Sequence, residues 1–187
     1  MGSFICPPKR IPWFLRIGIR ISRNATGKDL IIGKLLAWYP RAAIGSGMLE
    51  AFVAHHDKDI SDRILKLVRI AASFSTSCPF CIDMNSFEYQ KQGITEDEFA
   101  AIRNSAELVS TETFSHREIL AVDYARIISG TEIAFSPEFL KDLKANFKER
   151  EIVILASTAA QVNYWSRLNQ ALGVPSAGFT DQCGLRL

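Results

Sequence analysis

From about Lys28 onward, apolar residues recur three and four positions apart, the spacing that lines one face of an α-helix. Residues 29–39 read as one helix closed by Pro40, and residues 41–55 as another. Asp59 or Ser61 opens a third, with Ile64, Leu67, Val68, Ala71, Ala72 and Phe74 inward and Asp62, Lys66, Arg69 and Ser73 as its polar stripe. Thr76 or Ser77 caps a fourth, where Pro79 suits the first turn and Gly93 the stop. Thr95 with Glu98, and Ser115 with Glu118, each fit a capping box. Ser136-Pro137 is a cap followed by proline at the first helical position, and residues 148–172 form the longest periodic run, ended by Gly173 and Pro175. The pattern predicts an all-α bundle of about eight helices with short connections.

The first two dozen residues break this rhythm. Ile11, Trp13, Leu15, Ile17, Ile19 and Ile21 alternate with other residues, which predicts one apolar face of an extended segment. The chain is therefore divided into an N-terminal arm, residues 1–24, and a helical domain, residues 25–187. Residues 1–34 carry seven Lys or Arg against one Asp, a net +6 that leaves −4 for the rest. Such an arm either docks on a neighbouring subunit or an anionic membrane surface, or folds back on its own domain.

Composition narrows the class. With 48% hydrophobic and 22% charged residues, the 187-residue chain has enough apolar side chain for an ordinary core. A net charge of +2 gives no case for nucleic acid. Lys or Arg interrupts every apolar stretch well short of the roughly 18–20 residues of a membrane span. Prolines 7, 8 and 12 and arginines 16 and 20 break any signal-peptide core, so a cytoplasmic protein is expected.

In that compartment four cysteines do not predict a disulfide framework. Cys6 and Cys183 lie in terminal segments and read as incidental. Cys78-Pro79-Phe80-Cys81 differs, because it sets two thiols on one face at a helix start. Unpaired backbone N–H groups and the helix dipole favour a thiolate there. Such a pair exchanges two electrons by closing a disulfide. Zinc would need further ligands, and His55, His56 and His116 have no ligand spacing, so no metal or cofactor is expected. Two small buried hydrophobes are the bland alternative.

The stretch over residues 61–86, ending Cys78-Pro79-Phe80-Cys81-Ile82-Asp83-Met84-Asn85-Ser86, resembles the alkylhydroperoxidase D and carboxymuconolactone decarboxylase family, in its peroxidase-related branch. Trp38-Tyr39-Pro40 upstream and Asn163, Arg167-Leu168-Asn169 and Leu172-Gly173-Val174 downstream extend the resemblance. It implies an all-helical fold, homo-trimers or hexamers, and peroxide reduction with electrons from a protein disulfide or lipoyl partner. Carried over, Cys81 attacks peroxide and Cys78 resolves it.

The chain departs from that family where protons move. Lys66 stands where the family places glutamate, and Asn85 where it places histidine. A cation near a thiol favours its ionisation, but Asn85 cannot titrate, and losing a positioned acid or base costs about 10²–10⁴ in rate. The expectation is a reactive dithiol with slowed or altered peroxidase turnover. Glu50, His55, His56 and Asp83 are stand-ins by neighbourhood in sequence, whereas Glu118, Glu151 and His116 have structural explanations at helix starts. Two other classes stay open. One is a lyase that binds a small carboxylated substrate through Lys66 or Arg69; the other is a non-catalytic oligomer whose dithiol senses redox state.

Overall fold

Ser61 accepts the backbone N–H of Ile64 at 3.3 Å and so starts the helix on which the rest of the molecule is assembled. A computed structural model describes residues 2–53, 55–104 and 113–180, and Cys183 lies outside them. Among these residues are nine α-helices and two short 3₁₀ turns, with no strand. The helices are α1 (Trp13–Thr26), α2 (Ile31–Leu35), α3 (Pro40–Phe52), α4 (Asp62–Ser75) and α5 (Pro79–Ser86). They are followed by α6 (Glu96–Arg103), α7 (His116–Ser129), α8 (Pro137–Asn146) and α9 (Glu149–Ala171). The all-α class expected from the periodicity is the one observed.

The core is built on α4, α7 and α9, which pack mainly on one another. Leu65, Leu67, Val68, Ile70 and Ala71 of α4 meet Ala121, Val122 and Ala125 of α7 and Leu155 and Ala159 of α9. The small residues on α7 and α9 let the helix axes approach closely. Both expected capping boxes are present, at Thr95/Glu98 and Ser115/Glu118. Each box glutamate turns its remaining oxygen to one guanidinium: Arg63 reaches Glu98 at 2.7 Å and Glu118 at 2.6 Å. One side chain of α4 thereby ties down the starts of α6 and α7.

Three expectations are corrected. The alternating segment is helical: α1 covers Trp13–Thr26 and ends at Gly27, whose φ of 68° is left-handed. Leu15, Ile19 and Thr26 face inward on it, a helical spacing hidden inside the alternation, while Trp13, Ile17 and Ile21 stay exposed. The preceding residues fold back on their own chain, since Phe4 donates its N–H to the Leu172 carbonyl and Trp38 donates to the Cys6 carbonyl. Next, the fourth predicted helix is two pieces, α5 and a 3₁₀ turn over Tyr89–Gln92 that Gly93 closes. Finally, Arg69 and Ser73 of the α4 polar stripe are buried, because that stripe faces α5 and a cavity instead of solvent. No helix among the described residues is long and apolar enough to cross a membrane.

Candidate functional site

Where α4 ends, Ser77 takes a left-handed φ of 50°, and the reversal places Cys78 at the head of α5. Cys78 is itself the N-cap, in place of the Thr76 or Ser77 expected from the sequence. Its sulfur accepts the backbone N–H of Cys81 at 3.3 Å and lies 2.8 Å from the Cys81 sulfur, within hydrogen-bond reach. Pro79 occupies the first turn, where its missing N–H costs nothing. The relative exposures of the two residues are 1% and 3%. From α9, Asn169 points its amide at the Cys81 sulfur at 3.8 Å. The Ser166 hydroxyl, which receives a hydrogen bond from Thr76 at 2.9 Å, faces both sulfurs.

This arrangement divides one proton unequally between two thiols. The hydrogen bond from Cys81 pushes the Cys78 pKa down to about 7 against the opposing effect of burial, helped by the N–H groups of Cys81 and Phe80 and by Ser166. Cys81 moves the opposite way, because it donates to Cys78, is buried and sits beside the charge it helps create. As the pH rises through about 7 the negative charge comes to rest on Cys78, while the proton stays on Cys81. Cys81→Ala removes the main donor, so the Cys78 pKa should rise from about 7 toward the ordinary thiol value. Ultraviolet thiolate absorbance against pH checks this; an unchanged midpoint would mean that the helix start alone stabilises the anion.

Cys81, but not Cys78, lines an open cavity of about 730 Å³ whose walls come from α1, α2, α3, α4, α5 and α9. Phe80 and Met84 flank the sulfur, and Leu15, Ile19, Leu36 and Trp165 extend the apolar wall. Lys66 and Arg69 bring positive charge to it. Lys66 donates to the Phe87 carbonyl at 2.7 Å, and burial together with the Arg69 charge pushes its pKa down to about 8. Asn85, also on the wall, donates to Ser73 at 2.9 Å.

Among the stand-ins, Glu50 and His55 reach the cavity. Glu50 accepts from Trp165 at 2.9 Å and from Gln161, and lies 3.2 Å from His55, whose other ring nitrogen is 3.3 Å from Arg69. Burial alone would raise the Glu50 pKa, but the hydrogen bonds from His55 and Trp165 and the nearby positive charges hold it below the usual range. Asp83 is not a stand-in: its buried carboxylate clips the chain after α9, accepting from Ser176, Ala177, Phe179 and Thr180. His56 pairs with Asp62 and His116 with Asp142, both away from the sulfurs. Ser166, Gln161 and Trp165 escaped the sequence reading. The only signal for Gln161 and Ser166 was their spacing with Asn169, three to five residues apart along α9, among other polar residues of the same helix; Trp165 gave none.

No family model matches the chain. Among solved structures, it superposes on a cysteine-to-alanine variant of the debrominase Bmp8 in complex with 2,3,4-tribromopyrrole, with a TM-score of 0.78 and 17% identity over 97% of this chain and 96% of that one. It superposes equally well on an uncharacterized peroxidase-related protein from Ralstonia eutropha JMP134, described as an AhpD core, with a TM-score of 0.79 and 14% identity over 96% and 95% of the two chains. The fold is AhpD-like. In sequence, the uncharacterized protein YdfG of Bacillus subtilis is 26% identical over 110 residues, 58% of this chain and 72% of that protein. Within this AhpD-like fold the cysteine pair occupies the seam where α4, α5 and α9 meet.

Proposed function

We propose that the protein is a thiol-dependent oxidoreductase that reduces a hydroperoxide at Cys81 and closes a Cys78–Cys81 disulfide. The observation that carries this reading is the pair itself: two sulfurs 2.8 Å apart, with Cys81 on a cavity wall. The Cys78 thiolate takes the Cys81 proton as Cys81 attacks the terminal peroxide oxygen. The O–O bond breaks, and the departing alkoxide takes a proton from solvent to become the alcohol. Cys78 then attacks the sulfenic sulfur of Cys81, and the expelled hydroxide takes the Cys78 proton to become water. The protein loses two electrons, the peroxide gains them, and the reduced, dithiol form of a protein disulfide or lipoyl partner restores the Cys78/Cys81 dithiol, becoming a disulfide itself. Because Asn85 is bound to Ser73 and Lys66 to a backbone carbonyl, neither is placed as a dedicated acid, so turnover is slow.

The test is stoichiometry in a single turnover. Reduced protein given one equivalent of cumene hydroperoxide should yield one equivalent of cumyl alcohol and lose both thiols. Alcohol without thiol loss, or unreacted peroxide, refutes the reading. A second reading is favoured by the debrominase on this fold with its bromopyrrole. The same dithiol would convert a carbon–bromine bond to carbon–hydrogen, releasing bromide and a proton. Bromide release from 2,3,4-tribromopyrrole, coupled to disulfide formation, selects it.

Homo-oligomers, trimers or hexamers by the resemblance, belong to the same proposal. Trp13, Ile17 and Ile21 of α1 and Ile44, Met48 and Phe52 of α3 are exposed, and Phe52 reaches 82%. So much apolar surface on two adjacent helices is the kind that further copies of the chain cover. Light scattering should give a multiple of 20.9 kDa, and Phe52→Asp combined with Ile21→Asp should shift it toward the single chain. A monomeric wild type would contradict this.

A further inference from the structure

Asn169 is fully buried in the last turn of α9, where Val174 donates its backbone N–H to the Asn169 main-chain carbonyl at 2.9 Å and anchors the residue. Its side-chain amide has two ends. Nδ2 faces the Cys81 sulfur at 3.8 Å, whereas Oδ1 has no hydrogen-bond partner among the described residues. A buried carbonyl oxygen without a donor is costly and rare in folded proteins. Ser166, three residues earlier on α9, faces both sulfurs and already receives a hydrogen bond from Thr76 at 2.9 Å. Glu50, on the cavity wall, is engaged by Trp165, Gln161 and His55. Of these three side chains, Asn169 alone holds an acceptor with no donor. The dithiol cannot supply one, because Cys81 gives its single proton to Cys78. Oxidation changes that, since a sulfenic acid carries an O–H of its own.

We propose that Asn169 is a catalytic residue of the resolving step: its Oδ1 accepts the O–H of the Cys81 sulfenic acid, draws that oxygen away from the cavity and holds it while Cys78 attacks. This role presupposes the peroxide chemistry proposed above. In the step it assists, the Cys78–Cys81 S–S bond forms and the Cys81 S–O bond breaks. The expelled hydroxide takes the Cys78 proton and leaves as water. Peroxide delivers the oxygen from the cavity, which Cys81 lines and Asn169 does not, so rotation about Cβ–Sγ carries it from one side of the sulfur to the other. One held orientation replaces a rotating S–O bond, which speeds closure. The oxygen withdrawn from the cavity also leaves a second peroxide less chance to make sulfinic acid.

The test is how the sulfenic acid partitions, a quantity independent of how fast it forms. Reduced full-length protein receives one equivalent of cumene hydroperoxide in a fixed excess of dimedone, and the Cys81 adduct is compared with the Cys78–Cys81 disulfide by mass spectrometry. Asn169→Leu should raise the adduct-to-disulfide ratio at least about tenfold. Dimedone access is corrected for by the rate of adduct formation in Cys78→Ser with and without Asn169→Leu. Under excess peroxide without dimedone, Asn169→Leu should also accumulate Cys81 sulfinic acid. Asn169→Asp keeps an acceptor oxygen in the same place, so its ratio should lie closer to the wild type than to Asn169→Leu; a merely structural loss would move both variants alike. Asn169→Ala, which adds no bulk, replaces Asn169→Leu if the latter does not fold. Equal ratios in wild type and Asn169→Leu, or in Asn169→Leu and Asn169→Asp, overturn the assignment. If Cys78→Ser still forms sulfenic acid, the peroxide chemistry survives that result; if it forms none, both fall.

Discussion

Cys81→Ser protein is expected to consume cumene hydroperoxide at least about 10³-fold more slowly than the wild type, with dithiothreitol as the electron source. The size of the effect follows from what is removed. A serine hydroxyl is a far poorer nucleophile than a thiol at neutral pH, and it cannot form a disulfide with Cys78. Cys78→Ser should fail differently. It removes the thiolate that draws the Cys81 proton, so the first attack slows; it also removes the resolving sulfur, so any product is a Cys81 sulfenic acid trappable by dimedone. A Cys81→Ser rate within about threefold of wild type would place the reaction elsewhere in the molecule.

Asp83→Ala is expected to cost about 3 kcal/mol or more of stability, read from the urea midpoint. Its carboxylate is fully buried and accepts the N–H groups of Ala177, Phe179 and Thr180 at 2.8, 3.1 and 2.7 Å, with the Ser176 and Thr180 hydroxyls at 2.7 and 2.8 Å. Alanine leaves three backbone donors without their acceptor next to a cluster that holds Val174, Ala177 and both cysteines. Burial by itself would raise the Asp83 pKa, but these hydrogen bonds outweigh it and hold the carboxyl below its ordinary 3.8. The folded state therefore binds the proton less readily than the unfolded chain. Its stabilising effect is complete above that ordinary value and is lost as pH falls through the lower folded one. Asp83→Ala should flatten the acid limb of the stability curve; an unchanged urea midpoint would show that the clip holds nothing.

Much of this was legible because local chemistry and tertiary structure agree. Ser61, Ser136-Pro137 and the Thr95/Glu98 and Ser115/Glu118 boxes start helices where their side chains say they should, since a cap is satisfied within its own turn. The cysteine pair was legible for the same reason, although the detail that Cys78 does the capping was not. α1 was misread because Ile17, Ile19 and Ile21 fit a two-residue period while Leu15 and Ile19 also fit a helical one; only packing selects between them. The α4 stripe was misplaced because polarity shows that a face avoids the apolar core, not whether it meets water or a cavity. Glu50 and His55 were visible as neighbours in sequence, but nothing local shows that the end of α3 folds over α4. Asp83 was the converse case, a carboxylate two residues from Cys81 whose partners lie more than ninety positions away.

The central claim, that Cys81 reacts and then bonds to Cys78, is tested most directly by the mass of the peptide that carries both. Reduced protein is exposed to one equivalent of cumene hydroperoxide, quenched with an alkylating reagent and digested. The account predicts a Cys78–Cys81 peptide lighter by two hydrogens and carrying no alkyl group. The same peptide recovered with both sulfurs alkylated, after the peroxide has been consumed, would contradict it.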